Sequence, residues 1–359
     1  MGSAEHSDYQ ALTECAHGFM VSQVLFAACE LGVFDVLAAG PLDAGTVAVR
    51  MGTSAHGTEL LLDACVCLRL LRADTSAGTA LYANTELARH YLSSTSPQSQ
   101  RHMLLYLGGT TYRCWAHLAT AVREGTNQYL KAFGVCSRDL FAAIYRSEDE
   151  LLRFMRGLQE VWSVSGRGVL AAFDLAPFPR ICDLGGGSGA LARECVALYP
   201  AAKVTVFDTP EVVRTARRHF PFPEEGRVVF QEGDFFQDRL PEADLYILAR
   251  VLHDWTDARC TELLARIHGA CRPGGGILVV ESALQEDGHG PCTTLLLSLN
   301  MLLQAEGRER TPGQYQALMA AAGFGDFQFK KTGGAYDAML ARKPLPLGPG
   351  DAGKAQQVE

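Results

Sequence analysis

The chain has 359 residues, of which 48% are hydrophobic, so it is long enough for two domains with sizeable cores. Its net charge of −8 and isoelectric point near 5.7 argue against a nucleic acid or an anionic membrane as partner, because either would require a basic surface. We therefore expect a small-molecule partner.

Cysteine usage and the N-terminus bear on location. The eleven cysteines form neither a C-x-x-C pair nor a Cys/His cluster at zinc spacing, which is typical of a reduced intracellular protein. The N-terminus has no basic segment followed by an apolar core, and no apolar run approaches about 18 residues. The sequence predicts a cytoplasmic protein without a metal site.

The first 97 residues are predicted to form a mainly helical domain. Residues 8–38 carry a broad apolar stripe at helical spacing, which needs a partner surface in its own domain or on another subunit. Two helical patterns follow within 46–72, the second over 58–71, and a hairpin is predicted over 73–82 with its turn at 76–78. Three helices and a hairpin resemble a winged-helix module.

A winged helix often binds DNA, and this alternative is weighed by charge. The helix that would enter the groove starts at His56, contains Glu59 and Asp63, and has Arg69 late in it. It would offer little positive field to phosphates. We therefore predict that residues 1–97 form a dimerisation domain.

The middle of the chain, residues 98–179, is predicted to be a helical connecting region. It is rich in aromatic residues and broken by glycines. Most of the aromatic side chains are expected in the core, because aromatic residues at helical spacing usually are. A few could line a pocket for a flat ligand.

From residue 180 strands and helices alternate, which is typical of a doubly wound α/β sheet. The core is predicted to span 180–343, and residues 344–359 are predicted to be a disordered tail. The final two strands form a hairpin, which would add an antiparallel strand to a mostly parallel sheet. The predicted strands are 180–184, 203–208, 227–231, 243–248, 276–282, 325–331 and 335–342, with helices at 190–199, 210–219, 256–271, 291–305 and 311–322.

A glycine-rich turn follows the first strand of this core. After Asp183 come four glycines in five positions, which allow positive φ and close approach of a ligand to the backbone. The next strand ends in Asp208, where ribose hydroxyls are commonly held. Because Gly185, Gly187 and Ala190 also fit the fingerprint G-x-G-x-x-G/A, the motif alone leaves dinucleotides and adenosylmethionine open.

Two further strand ends carry residues suited to a ligand. Gly233 allows a tight turn, Asp234 could accept from an adenine amino group and Phe235 could stack on the ring, although such a loop could also merely plug the sheet end. After the fourth strand, His253 opens onto the same edge. A neutral imidazole there could remove a proton from a hydroxyl if a carboxylate oriented its other nitrogen, and Glu281 or Glu309 could supply one.

These motifs resemble, in order and spacing, the adenosylmethionine-dependent small-molecule O-methyltransferases that carry an N-terminal winged-helix dimerisation domain. The resemblance covers about residues 8–343. The stretches that carry it are 183–189, 207–208, 233–236, 253–255, 273–276 and 307–311.

The resemblance implies a Rossmann-like class I methyltransferase sheet, a homodimer, S-adenosyl-L-methionine as cofactor, and metal-free methylation of a phenolic or indole hydroxyl. It implies His253 as general base, with Glu281 and Glu309 as orienting carboxylates. Asp254, Asn300 and Gln304 match acceptor-contacting positions. The implied cofactor contacts are Tyr145, Trp162, Asp183, Gly185, Gly187, Asp208, Gly233, Asp234, Phe235 and Arg250.

Three alternatives remain at this point. The acceptor could be a phenol other than a hydroxyindole, because the sequence does not describe the wall of the acceptor pocket. The chain could also be a catalytically silent adenosylmethionine-binding dimer, which the intact set of His253, Glu281 and Glu309 disfavours. A nicotinamide oxidoreductase is disfavoured by the final hairpin.

Overall fold

The computed structural model describes residues 3–76, 78–135, 140–222 and 226–345. Contacts divide the chain into two compact units, Met1–Arg113 and Cys114–Glu359. This boundary lies inside the connecting region predicted over 98–179, so the first helix of that region belongs to the N-terminal unit. From residue 346 onward the predicted tail lies outside the described residues.

The N-terminal unit consists of helices and a small antiparallel sheet of strand order β1-β3-β2. Its core is formed by buried side chains from α1, α2 and α4 together with β2 and β3. In chain order its elements are α1 (Ser3–Leu31), α2 (Val33–Val36), β1 (Leu42–Asp43), α3 (Ala44–Met51), α4 (Ala55–Cys67), β2 (Leu71–Asp74), β3 (Leu81–Asn84), α5 (Glu86–Tyr91), α6 (Arg101–Tyr106) and a π-helical turn (Leu107–Thr111).

Two predicted helices of this unit differ from the structure. The helix predicted over 8–38 is broken at Gly32, whose φ of 77° is left-handed. The helix predicted over 58–71 is α4, which starts earlier because Ser54 accepts from the Gly57 N–H at its N-terminus. It ends earlier because Arg69 adopts a left-handed φ of 59°, and the predicted hairpin is the β2–β3 pair. Residue 77, in its turn, lies outside the described residues.

One face of α1 is apolar and uncovered in the single chain. Tyr9, Leu12, Phe19, Met20 and Val21 are each about half exposed or more. By length and composition alone, Ser7–Leu31 could also cross a membrane, which the sequence pattern did not predict. A large apolar face of this kind marks a surface that needs a partner.

The C-terminal unit contains a seven-stranded sheet of order β6-β5-β4-β7-β8-β10-β9, preceded by helices. Its elements, with α7 crossing the boundary between the units, are α7 (Tyr112–Trp115), α8 (Leu118–Glu124), α9 (Tyr129–Phe133), α10 (Leu140–Ile144), α11 (Glu148–Leu170), β4 (Arg180–Leu184), α12 (Ala190–Leu198), β5 (Lys203–Asp208), α13 (Pro210–His219), β6 (Val228–Glu232), β7 (Ala243–Ala249), a 3₁₀ turn (Leu252–Asp254), α14 (Asp257–Ala270), β8 (Cys271–Glu281), α15 (Cys292–Gln304), α16 (Pro312–Ala321), β9 (Gly325–Lys330) and β10 (Asp337–Arg342).

The sheet is mostly parallel, and the predicted fold class is confirmed. Strands β6, β5, β4, β7 and β8 pair in parallel, whereas β10 pairs antiparallel with both β8 and β9. Because side chains alternate across a strand, Ile181 and Ile247 face the core beneath α11 and α12, while Cys182 and Leu248 face the core beneath α14 and α16. The carboxyl ends of the parallel strands therefore meet at one edge, which carries the site.

Candidate active site

The glycine turn after β4 is held by its own backbone. Gly185, Gly187 and Gly189 have φ values of 73°, 57° and 74°, which strongly favour glycine. The Gly187 N–H donates to Asp208 Oδ2 at 2.9 Å, and the space beside Gly187 where a Cβ would stand is open for 4 Å. The predicted turn and the predicted ribose acid are thus in direct contact, with room beside them for a ligand.

Two carboxylates give this turn negative character. Asp183 is buried, and its Oδ2 has no hydrogen-bond partner among the described residues. Burial and, secondarily, the nearby Asp208 raise the pKa of Asp183 to about 7. Burial raises the pKa of Asp208 to about 6, against two backbone N–H groups that lower it. A ligand that presents hydroxyl donors or positive charge would relieve this cost.

The loop after β6 has a steric reason for its glycine. A Cβ on Gly233 would lie 2.3 Å from Phe207 Cζ, so a side chain there would displace the buried ring. Asp234 accepts from the Phe236 N–H through Oδ1 and from the Gln237 side chain through Oδ2, each at 2.8 Å. The carboxylate thus stabilises its own loop, and its predicted adenine contact stays a prediction that would use the remaining lone pairs.

Four other predicted cofactor residues make contacts within the same unit. Phe235 stands 3.9 Å from the position of a Cβ on Gly185. Tyr145 lines a cavity of about 310 Å³ together with residues of α11 and α13. Arg250, at the end of β7 with a φ of 58°, donates to the Tyr336 hydroxyl at 2.6 Å. The Tyr336 ring lies 5.4 Å from that of Trp162.

Tyr336 is therefore a site residue that the sequence did not reveal. It lies one position before β10 and connects Trp162 on α11 to Arg250, which directly follows β7. No motif surrounds it. Only the antiparallel pairing of β10 with β8 places it beside the strand ends.

His253 lies in the 3₁₀ turn after β7 and is 2% exposed. Its Nδ1 is 2.8 Å from Glu309 Oε1 and 3.5 Å from Glu281 Oε2, while its Nε2 is 3.6 Å from Asp254 Oδ1. Only the first of these distances is a good hydrogen bond. The structure therefore brings the predicted base and both predicted carboxylates together, and Glu309 is the one bonded to the ring.

Glu281 is bonded to the backbone of the turn. Its Oε1 accepts from the N–H groups of Val251, Leu252 and His253 at 3.1, 2.9 and 3.3 Å. The side chain is fully buried at the end of β8. Glu281 thus fixes where the His253 turn sits, in addition to placing negative charge near the ring.

The negative charges decide the protonation of His253. Burial by itself lowers the pKa of His253, but Glu281, Glu309 and Asp254 outweigh burial and raise this pKa to about 9. Burial in turn raises the pKa of Glu281 to about 7, with His253 opposing the shift. The cluster is rich in negative charge, and the Arg250 guanidinium opposes the rise in pKa of both Glu281 and Asp254.

The same three groups could hold a metal ion by proximity, since their ligand atoms lie within 4.8 Å of one another. The 2.8 Å between His253 Nδ1 and Glu309 Oε1 is, however, a hydrogen-bond length. Ligands of a tetrahedral zinc at about 2.0–2.1 Å would stand about 3.3 Å apart. The spacing is that of a histidine hydrogen-bonded to a carboxylate, and the expectation of a metal-free site stays a prediction.

The two predicted acceptor contacts on α15 belong to a hydrogen-bonded chain. Gln304 Nε2 donates to Asn300 Oδ1 at 2.6 Å, and Trp115 Nε1 donates to the same oxygen at 2.9 Å. Tyr129 donates from its hydroxyl to Gln304 Oε1 at 3.1 Å. Trp115 and Tyr129 lie in the region 98–179, whose aromatic side chains were mostly expected in the core, and the sequence did not show these bonds because their partners lie far along the chain.

The fold and this edge are those of a class I methyltransferase. Residues 115–325 match the model of the O-methyltransferase domain, and residues 13–94 match that of the O-methyltransferase dimerisation domain. The chain belongs to the S-adenosyl-L-methionine-dependent O-methyltransferase family, and its relatives of high identity are acetylserotonin O-methyltransferases.

The similarity to these relatives extends over nearly the whole chain. The chain is 65% identical over 345 residues to acetylserotonin O-methyltransferase of Homo sapiens, covering 96% of this chain and 100% of the relative. It is 54% identical to that of Gallus gallus over 346 residues, with the same coverage. The solved structure of the human N-acetylserotonin methyltransferase in complex with SAM matches with a TM-score of 0.93 at 64% identity, covering 96% of this chain and 100% of that chain. The cofactor of this protein is S-adenosyl-L-methionine.

Proposed function

We propose that the protein methylates the 5-hydroxyl of N-acetylserotonin, giving melatonin and S-adenosylhomocysteine, with His253 as the base and without a metal. The observation that carries the mechanism is the 2.8 Å contact between His253 Nδ1 and Glu309 Oε1 at the carboxyl edge of the sheet. The names of the relatives support the acceptor.

The Glu309 contact decides which ring nitrogen acts as the base. A carboxylate oxygen accepts, so the proton on Nδ1 is held against Glu309 and the neutral ring keeps its lone pair on Nε2. Nε2 is too far from Asp254, at 3.6 Å, for a strong competing bond. We therefore assign proton removal from the acceptor hydroxyl to Nε2.

The buried carboxylates stabilise the imidazolium that proton removal creates. A free phenol has a pKa of about 10, and His253, with its pKa raised to about 9, is a far better match than an ordinary histidine. The same negative charge also keeps a proton on His253 near neutral pH in the ligand-free protein. The base must therefore lose that proton before the reaction.

The residues at the glycine turn suit the cofactor. Asp208 has lone pairs for ribose hydroxyls, and the open space beside Gly187 admits a ligand to the backbone. S-adenosyl-L-methionine, when bound, supplies a methyl group on a positively charged sulfonium, so the protein has only to align the acceptor oxygen and remove its proton. Asp254 and the cluster around His253 favour positive charge in this region.

The test is a methyl-transfer assay with methyl-labelled S-adenosyl-L-methionine. Acceptors would be N-acetylserotonin, serotonin and simple phenols, and His253→Gln would be compared with the native chain. We expect product with N-acetylserotonin and a loss of about 100-fold or more in kcat for the variant. His219→Gln, at the half-buried last residue of α13, serves as the control and should stay near the native rate.

Each outcome separates one part of the proposal from the rest. Activity retained by His253→Gln would remove the base and leave the reaction. Turnover of other phenols without N-acetylserotonin would overturn the acceptor. A folded protein that binds the cofactor and methylates nothing would indicate a silent binder.

We also propose that the protein is a cytoplasmic homodimer in which a second copy covers the apolar face of α1. The exposed Phe19 and Met20 and the match of residues 13–94 to a dimerisation domain support this. Sedimentation at micromolar concentration should give a dimer, and a stable monomer would contradict it. Fractionation of cells that express the full chain tests the location.

A further inference from the structure

Arg310 is buried, with 1% of its surface exposed, and its guanidinium contacts the turn that carries His253. Nη1 donates to the Leu252 carbonyl at 2.9 Å, and Nη2 donates to the Trp255 carbonyl at 2.7 Å. These two carbonyls flank His253 in sequence. The guanidinium therefore holds the turn from both sides of the base.

The other contacts of Arg310 complete a rigid clamp. Nε donates to Asp257 Oδ1 at 2.8 Å, at the first residue of α14, and Nη1 also donates to the Arg308 carbonyl at 3.2 Å. A planar guanidinium can make such bonds in several fixed directions at once. Arg310 thus joins its own segment to the His253 turn and to α14.

The segment that Arg310 belongs to also carries Glu309. A second observation shows how closely it approaches the turn, because a Cβ on Gly307 would lie 2.3 Å from the His253 carbonyl oxygen. Arg310 directly follows the acid that bonds His253 Nδ1. Any movement of its side chain would therefore change the spacing between the two segments that supply His253 and Glu309.

We propose that Arg310 is a positioning residue for methyl transfer: it sets the contact between His253 and Glu309 without touching the acceptor. The proposal rests on the proposed role of His253 as base. A role in stability alone would not require the guanidinium to bond the carbonyls on both sides of His253. A buried cation paired only for stability could be replaced without a change in the titration of His253.

The test compares Arg310→Lys with Arg308→Gln. Lysine keeps the positive charge but loses the planar fork, so it cannot reach both carbonyls and Asp257 at once. Arg308 is the matched control, since its side chain is half exposed and bonds the same Asp257, at 3.2 Å, without reaching the turn. Measurements are kcat, KM for both substrates, cofactor affinity, thermal stability and the NMR titration of His253 in ¹³C-histidine-labelled protein, its signal identified by loss in His253→Gln.

For Arg310→Lys we expect kcat to fall by about 30-fold with cofactor affinity within about threefold of native, because a small misplacement of the base costs rate more than binding. The pKa of His253 should shift downward, because a looser Glu309 contact stabilises the imidazolium less. Arg308→Gln should change kcat by less than about twofold.

Two results would overturn the proposal. One is a kcat for Arg310→Lys no lower than for Arg308→Gln, and the other is a lower kcat with an unchanged His253 titration. Should Arg310→Lys fail to fold, Asp257→Asn releases one end of the clamp while keeping the buried cation. The proposal then requires that this variant, too, lowers the pKa of His253. The NMR titration reports on the clamp even if His253→Gln proves active. A failure of the positioning role of Arg310 can therefore be told apart from a failure of the proposed role of His253 as base.

Discussion

The two ends of the candidate active site differ in the groups that form them. At the end proposed to bind the cofactor, hereafter the cofactor end, glycine backbone and N–H groups form the turn, and Asp208 accepts from the Gly187 N–H. At the His253 end, side chains from three separate segments contact one another in the protein interior, with Glu281 and Glu309 almost fully buried. The first end is therefore sensitive to side-chain volume, and the second to charge.

The contrast continues within the His253 end. Glu281 and Glu309 have the same chemistry and similar burial, yet Glu281 bonds the turn backbone and Glu309 bonds the ring. Position in the fold separates them, since Glu281 ends β8 while Glu309 lies between α15 and α16. Two carboxylates near one histidine therefore need not share one task.

The largest expected effect tests this division. Glu309→Gln should lower kcat by about 100-fold or more, because an amide can hold the wrong tautomer of His253 and no longer stabilises the imidazolium. Glu281→Gln keeps an oxygen that can accept from the turn and should lower kcat by about tenfold. Single-turnover kinetics with saturating cofactor measures both.

The comparison of the two carboxylates would fail if Glu281→Gln were the slower variant. Thermal unfolding of both proteins is the control, because a buried site that merely unfolds would lose rate and stability together. Equal melting temperatures with unequal rates would assign the difference to chemistry.

A smaller effect tests the volume sensitivity of the cofactor end. Gly233→Ala places a methyl group against the buried Phe207 ring, and we expect a loss of about 1–3 kcal/mol in stability and weaker cofactor binding. Phe207→Leu in the same chain should restore part of the binding, since it opens the space that the methyl group needs. Isothermal titration calorimetry and thermal unfolding measure the two quantities.

Gly269→Ala is the matched control for this substitution. A Cβ there would have nothing within 4 Å, and the residue lies inside α14. It should be neutral or slightly stabilising. If the Gly233→Ala protein were as stable as this control and bound the cofactor as tightly, the loop after β6 would accommodate the methyl group without cost, which would contradict the prediction.

The sequence predicts the cofactor end better than the His253 end for a physical reason. A strand, a glycine turn and a helix are adjacent along the chain, so Gly185, Gly187 and Asp208 were placed by local pattern and parallel-sheet geometry. The mostly parallel sheet with an antiparallel strand from the final hairpin was also predicted, whereas the order of the strands was not. The break at Gly32 was missed because a glycine within an apolar helical pattern is usually tolerated.

The His253 end depends on contacts between distant segments. Sequence motifs predicted that His253 and Glu309 belong to one site, but they did not show that Glu281 bonds the backbone. Arg310 and Tyr336 escaped prediction as site residues for the same reason. Their partners are set by tertiary packing, which no local period reports.

The mildest expected effect links the two ends through charge. Between pH 7.5 and 9.5 the ligand-free protein loses a proton from His253, whose pKa is raised to about 9. The protonated form repels a sulfonium, so S-adenosyl-L-methionine should bind more tightly as pH rises through this window, by up to about tenfold. S-adenosylhomocysteine, whose sulfur is neutral, should show much less change.

His253→Gln provides the control for this pH dependence, because it removes the titration of the ring and keeps the titration of the ligand itself. In that variant the difference between the two ligands should shrink across the same window. Calorimetric titrations at three pH values would measure it. A difference that persists unchanged in the variant would show that the charge of His253 does not reach the cofactor, and the two ends would then be electrostatically independent.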